Sequence, residues 1–177
     1  MKKLLLFVFT AVAFGAAAQN GSAQSLTFRT GYSSFSGFYG SCSELHYSLP
    51  LSEHFGLTVA DAADFANADI TPTTTYYQAF ANCISVGVNA HVDFAQRCSL
   101  RATALVGMDI WSARNVSGAA CCAASLAVSG SVDFSVKVRE RCSVGLFAGI
   151  GSCPDFLDNG NGSLLKERFG IELCFGL

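Results

Sequence analysis

Charge is scarce in this 177-residue chain: only 14% of residues are Asp, Glu, Lys or Arg, and the net charge is −2. The surface of a soluble domain is normally about a quarter to a third charged, so an ordinary water-facing exterior is hard to build from this composition. No basic excess exists (pI near 5.8), which removes the electrostatic footprint of a nucleic-acid binder. Proline (3) and tryptophan (1) are rare. After the N-terminus no apolar run approaches the roughly 20 residues of a membrane-crossing helix. The longest weakly polar stretch, Val116 to Val128, is interrupted by Ser117, Gly118 and Ser125. The eight cysteines show no CxxC or CxxCH spacing, so zinc-ribbon, haem-attachment and thioredoxin-like chemistry lack support.

What is present begins with Met1-Lys2-Lys3, an apolar run from Leu4 to Ala18, and the small residues Ala16-Ala17-Ala18. A basic start, short apolar core and small-residue cleavage site describe a secretory signal peptide. Residues 1–18 are therefore expected to be removed, leaving one domain over residues 19–177. Export puts the cysteines in an oxidising compartment, where eight allow 105 pairings. Most fall in register with the strand pattern, as small residues filling strand positions, with room for one or two bridges.

The mature chain alternates with period two. Ile84, Val86, Val88, Ala90, Val92 and Phe94 occupy one parity, with Cys83, Ser85, Gly87, Asn89, His91 and Asp93 between them. After Ala95-Gln96-Arg97 the pattern resumes: Leu100, Ala102, Ala104, Val106, Met108 and Ile110 against Arg101, Thr103, Leu105, Gly107 and Asp109. Successive strand side chains point to opposite faces, so this is an antiparallel hairpin with one apolar face and one small or charged face. Asn82 is the one polar intruder on the apolar side. Similar runs predict strands over 26–32, 45–51, 55–60, 122–138, 144–150 and 169–177. Loops are expected at Ser33–Ser41, Asp61–Thr75, Ser112–Gly118 and Pro154–Ser163, and tight turns at 52–54, 95–97 and 139–141. Gln96-Arg97-Cys98-Ser99-Leu100 returns as Glu140-Arg141-Cys142-Ser143-Val144, so the short turns share one end. Eight strands with this rhythm predict an all-β, eight-stranded antiparallel up-and-down barrel.

Volume and charge decide which face looks outward. Phe, Leu and Tyr would crowd the narrow lumen of eight strands, while Gly, Ser and Ala would make a poor soluble wall. The inverted arrangement places the aliphatic face against lipid, and a closed barrel satisfies every backbone polar group there. The lumen then holds Arg29, Glu44, His91, Arg101, Asp109, Asp133 and Glu172, a polar network that persists only if its charges pair. Hairpin register puts His91 near Arg101, Asp93 near Ser99 and Cys83 near Asp109. Tyr32, Tyr76, Tyr77 and Trp111 suit an aromatic girdle on the loop side, and Phe55, Phe94, Phe134 and Phe175 one on the turn side.

On these residues, and on its ending Phe169 to Leu177, the chain resembles the small eight-stranded outer-membrane barrels of Gram-negative bacteria, of the OmpA type without a periplasmic domain. The terminal strand is similar to the family's C-terminal assembly signal, although the family's last residue is usually aromatic and here is Leu177. The resemblance implies an integral protein of the cell outer membrane. It also implies lipopolysaccharide and other outer-membrane lipid as surroundings and the barrel-assembly machinery as a partner in biogenesis.

The chemistry-bearing residues point to no catalytic, cofactor-binding or metal-binding set. His46 and His91 fall on the lumen face and His54 in a turn, so no Ser–His–carboxylate arrangement is suggested. Asp61, Asp64, Asp69, Asp155 and Asp158 lie on the loop side without calcium-loop spacing and read as a solvated acidic surface. Arg101, His91, Phe147 and Glu172 would obstruct a pore. The expectation is a monomeric, non-enzymatic outer-membrane barrel, without nucleic acid or cofactor, whose external loops contact lipopolysaccharide, host or protein partners. The alternatives are a lipid-modifying enzyme of the same membrane and a secreted lipocalin-like barrel holding an apolar ligand.

Overall fold

The computed structural model describes residues 24–35, 37–68, 76–115, 117–154 and 163–177. The expected signal segment, Asp69, Asp155 and Asp158 lie outside these residues. Eight strands follow one another: β1 (Ser25–Phe35), β2 (Phe38–Pro50), β3 (Phe55–Asn67), β4 (Tyr76–Phe94), β5 (Cys98–Asn115), β6 (Ala120–Arg139), β7 (Cys142–Pro154) and β8 (Ser163–Gly176). Each pairs antiparallel with its neighbours in sequence, and β8 closes on β1. Among the described residues no helix is long and apolar enough to cross a membrane; a barrel crosses with strands.

The register fixes the barrel's size. From Ser25 the Cα partners run through Ser48, Thr58, Gly87, Leu105, Ser129, Gly151 and Lys166, and return to β1 at Phe35, ten residues along from the start. With eight strands that stagger gives a tilt of about 40° and an interior just wide enough to be filled by side chains. The expected partners His91 and Arg101, Asp93 and Ser99, and Cys83 and Asp109 stand directly opposite one another.

The apolar face is outside. Leu100, Val106 and Ile171 are 45, 46 and 54% exposed, while Arg29 and Glu172 are each 1% exposed. This excludes the lipocalin-like alternative, whose greasy side chains would meet at the centre. Turn-side aromatics ring the wall: Phe55, Phe94, Phe134 and Phe175 are exposed, with Phe94 and Phe134 rings 6.0 Å apart. Loop-side, Tyr32 packs on Phe169 at 5.1 Å and Phe65 on Phe80 at 4.8 Å.

Closure of the sheet requires glycine at one point. Gly31 and Gly170 face each other across β1 and β8, and a Cβ on Gly31 would come within 2.1 Å of the Phe169 carbonyl oxygen. The Phe147 ring covers the bare Gly170 backbone, with Cε1 2.9 Å from where a Cβ would stand.

Five expectations need correction, one being the loop at Ser112–Gly118, which is β5 strand as far as Asn115. Ser33–Ser41 is not a loop: β1 and β2 continue through it and turn at Gly37, whose φ is +78°. Its Ser and Gly residues resemble turn composition, but in this barrel Ser33 and Gly40 sit opposite each other at inward positions and line the lumen. Asp61–Thr75 is likewise strand as far as Asn67, and Asp64, read as surface, is fully buried. Strand eight begins at Ser163 instead of Phe169. Trp111 is not a girdle residue, because its parity turns it inward, where it is buried.

Asn82, the polar intruder, has a partner. Its Nδ2 donates to Asp61 Oδ1 at 2.8 Å and to the Ala62 carbonyl at 3.2 Å, on the outward face among Leu45, Ile84 and Phe65. A carboxylate facing lipid is unfavourable, though less so than Arg or Lys. Replacing both residues (Asp61→Leu with Asn82→Leu) is expected to raise unfolding stability in lipid by about 1–2 kcal/mol. A urea titration in vesicles checks this, and a double variant less stable than the parent would contradict the lipid-facing placement.

Candidate functional site: the charged lumen

The lumen is stratified along the barrel axis. At the loop-side end Phe35 and Phe38 stack at 5.9 Å within a buried cluster with Trp111, Ala66, Ala79, Ala81 and Ala113. Below it, Lys166 Nζ donates to Asp64 Oδ2 at 3.0 Å and Asp109 Oδ2 at 2.9 Å. The Lys166 ammonium also lies 5.4 Å from the Phe35 ring centroid, joining the apolar layer to the charged one. Arg168 forks onto both Asp64 oxygens, with Nε to Oδ1 at 2.9 Å, and reaches Glu44 Oε1 from Nη1 at 2.9 Å.

Glu44 links this upper group to a lower one centred on Arg29. Arg29 Nη1 donates to Glu44 Oε2 at 3.3 Å and to Ser131 Oγ at 3.1 Å, and Nε donates to Glu172 Oε2 at 3.4 Å. Its Nη2 bonds Asp133. The guanidinium lies 5.2 Å from the Phe147 ring centroid, and His46 Nε2 is 2.8 Å from Glu44 Oε2. Strand parity explains the convergence, because each of these residues occupies an inward position on β1, β2, β6, β7 or β8. Bidentate and charge-assisted contacts of this kind are the strong ones, and buried charges are tolerated only when so paired.

Toward the turn side, Ser48, Thr58 and Asn89 are joined by hydrogen bonds of 3.1 and 2.7 Å. Between the charged groups and the β6–β7 wall lies a cavity of about 40 Å³, bordered by Thr103 and Asp109. That is room for a few water molecules and no larger solute.

No family model matches the sequence, and no curated protein does. Solved structures do match. Neisserial surface protein A superposes with a TM-score of 0.70 at 9% identity, covering 90% of this chain and 100% of that one. The attachment invasion locus protein Ail of Yersinia pestis gives 0.52 at 9% identity, covering 88% and 100%. The N-terminal barrel domain of Pseudomonas aeruginosa OprF gives 0.51 at 11% identity, with the same coverage. This chain has the fold of the small eight-stranded outer-membrane β-barrels. At such identities the likeness is one of fold, and the apolar belt described above supplies the independent physical reason for a bilayer.

In this barrel the residues singled out from sequence separate into three groups. Arg29, Glu44, Asp133 and Glu172 meet in one ion cluster. Asp109 belongs to the upper group through Lys166. Arg101 and His91 stand apart at the turn-side mouth: Arg101 donates to Thr27 Oγ1 at 3.1 Å and Cys174 Sγ at 3.6 Å, and His91 lies 6.5 Å from His54, ring to ring. Sequence reasoning missed Asp64 because β3 was ended too early, and Lys166 and Arg168 because β8 was begun too late. Extending the alternation back from Phe169 (Glu167 out, Arg168 and Lys166 in) would have found two of them. The seven described cysteines are all unbridged; Cys42, Cys83 and Cys174 fill buried lumen positions. Among the described residues no His, Cys, Asp and Glu group is arranged to hold a metal.

Proposed function

We propose that this outer-membrane barrel is a monomeric interaction protein, inserted by the barrel-assembly machinery after removal of residues 1–18, and not an enzyme. The observation carrying this reading is the filled lumen. Among the described residues a Phe/Trp plug and two linked ion clusters leave only about 40 Å³ at mid-barrel, the wider space of the lumen lying at the turn-side mouth, so the interior gives a solute no through path and the outer surface is what remains to act. On the loop side β5 and β6 stay paired up to Arg114 and Ala120, past the last β6–β7 pair at Ser129 and Gly151. That hairpin stands clear of β7 and offers surface to lipopolysaccharide, host or protein partners. His46 is engaged by Glu44 instead of a serine hydroxyl, which supports the non-enzymatic reading. Ail, similar in fold, has been solved with the heparin analogue sucrose octasulfate, so polyanionic glycans are a reasonable first probe.

The test is binding of the purified, folded barrel to immobilised lipopolysaccharide and to heparin, beside an unrelated eight-stranded barrel of similar net charge. Saturable binding to either surface, weakened by salt and absent from the control barrel, is expected. Lipid A mass spectra from cells with and without the protein provide the second arm. An altered acyl pattern would replace the interaction reading with the lipid-modifying one.

A further inference from the structure

We propose that the turn-side mouth of the barrel is a binding site for phosphate-class oxyanions, with Arg101 as the principal ligand. The mouth opens into a cavity of about 250 Å³ whose lining includes Asn89, Ser99, Arg101, Lys137 and Arg141. Arg101 is the one lumen arginine in the described residues that makes no ion pair. It stands opposite Asp133 in the β5–β6 register, yet Asp133 is bonded by Arg29. Arg101 instead crosses to Thr27 and Cys174, neutral partners that take one N–H from each of Nη1 and Nη2. A guanidinium carries five N–H donors, so most of its fork remains for a ligand.

The rim adds charge of the same sign. Lys137 and Arg141 line the cavity, and exposed Arg97 is tied to that rim where its carbonyl accepts from the Lys137 amide at 2.7 Å. Asp93 and Glu140 also face the cavity and oppose an anion, but with Arg101 included the cations outnumber them. Planar guanidinium donors match the oxygen edges of phosphate in pairs. Asn89 keeps one amide N–H beyond the one it donates to Thr58, and the Ser99 hydroxyl, 2.7 Å from Ser135 Oγ, lines the same cavity. The volume accepts inorganic phosphate, a small phosphate ester or the phosphate of a lipid headgroup reaching over the rim.

Isothermal titration of the barrel in nonionic micelles, with inorganic phosphate and glycerol phosphate as probes, tests this. Native mass spectrometry from nanodiscs of phosphatidylglycerol or phosphatidylcholine supplies the lipid arm. Wild-type protein should bind phosphate saturably at constant ionic strength, and Arg101→Gln should weaken binding by about tenfold or more. Heat-modifiable migration verifies that each variant is folded. If Arg101→Gln does not fold, Lys137→Gln with Arg141→Gln on the exposed rim carries the test, with several-fold weakening expected. Binding of the soluble probes identifies a free phosphate ester as the source. Adducts of phosphatidylglycerol alone, lost in the variants, identify the lipid. Absence of both, or affinities unchanged in both variants, overturns the proposal.

Discussion

Arg29→Met is expected to lower the barrel's unfolding stability by about 3–5 kcal/mol, the cost of leaving buried charge without its partner. Arg29 touches three carboxylates at once, and while Glu44 also has Arg168, Asp133 and Glu172 pair with Arg29; methionine fills much of its volume but meets none of these charges. The repulsion should be relieved by neutralising Asp133 and Glu172, the two carboxylates left without a cation, since Glu44 keeps Arg168. Arg29→Met combined with Asp133→Asn and Glu172→Gln is therefore expected to recover a large part of the loss, since replacing a whole buried ionic group is far milder than breaking it. Urea unfolding in lipid vesicles, followed by the heat-modifiable band, measures both. A single variant as stable as the parent would mean that the cluster is incidental to the barrel. A triple variant no better than the single one would mean that Arg29 acts through packing against Phe147 and not through charge.

The second large effect concerns the opposite face. Val88 and Ala104 are paired across β4 and β5 and point outward, with Val88 55% exposed. Arginine at either position in mid-bilayer should cost about 2–4 kcal/mol and reduce the folded fraction recovered in vesicles. Ser85→Arg and Thr103→Arg enter the lumen instead, where space and unpaired charge limit them and bilayer thickness should not matter. Comparing the four variants in thick and thin bilayers separates the mechanisms. If Val88→Arg and Ala104→Arg fold as well as the parent in both, the outward belt does not face hydrocarbon.

These two results probe the same rule from its two sides, and the rule was written in the chain. Period-two alternation placed the strand residues between Phe80 and Ile110 on their observed faces, since a one-residue slip would carry a whole greasy set to the wrong side. Composition then chose between inside and outside, because wide side chains do not fit an eight-stranded lumen. The failures came where composition and periodicity disagreed. Around Ser33 to Ser41, and from Asp61 to Asn67, small and acidic residues looked like loop, although they alternate as a lumen strand must. Trp111 shows the converse error, an aromatic assigned to the girdle by type when its parity pointed inward.

What the sequence determined by itself was the meander, the turn end, the register of the central hairpin and the sidedness of the wall. All of these follow from local alternation and side-chain volume. Which charges meet was decided only by the tertiary structure. Arg29 and Asp133, or Lys166 and Asp64, are separated by 104 and 102 residues and come together through the ten-residue stagger accumulated around the whole circuit. No local pattern encodes that sum, so Arg101 ends beside Thr27 and Cys174 while the carboxylate opposite it is claimed from across the lumen.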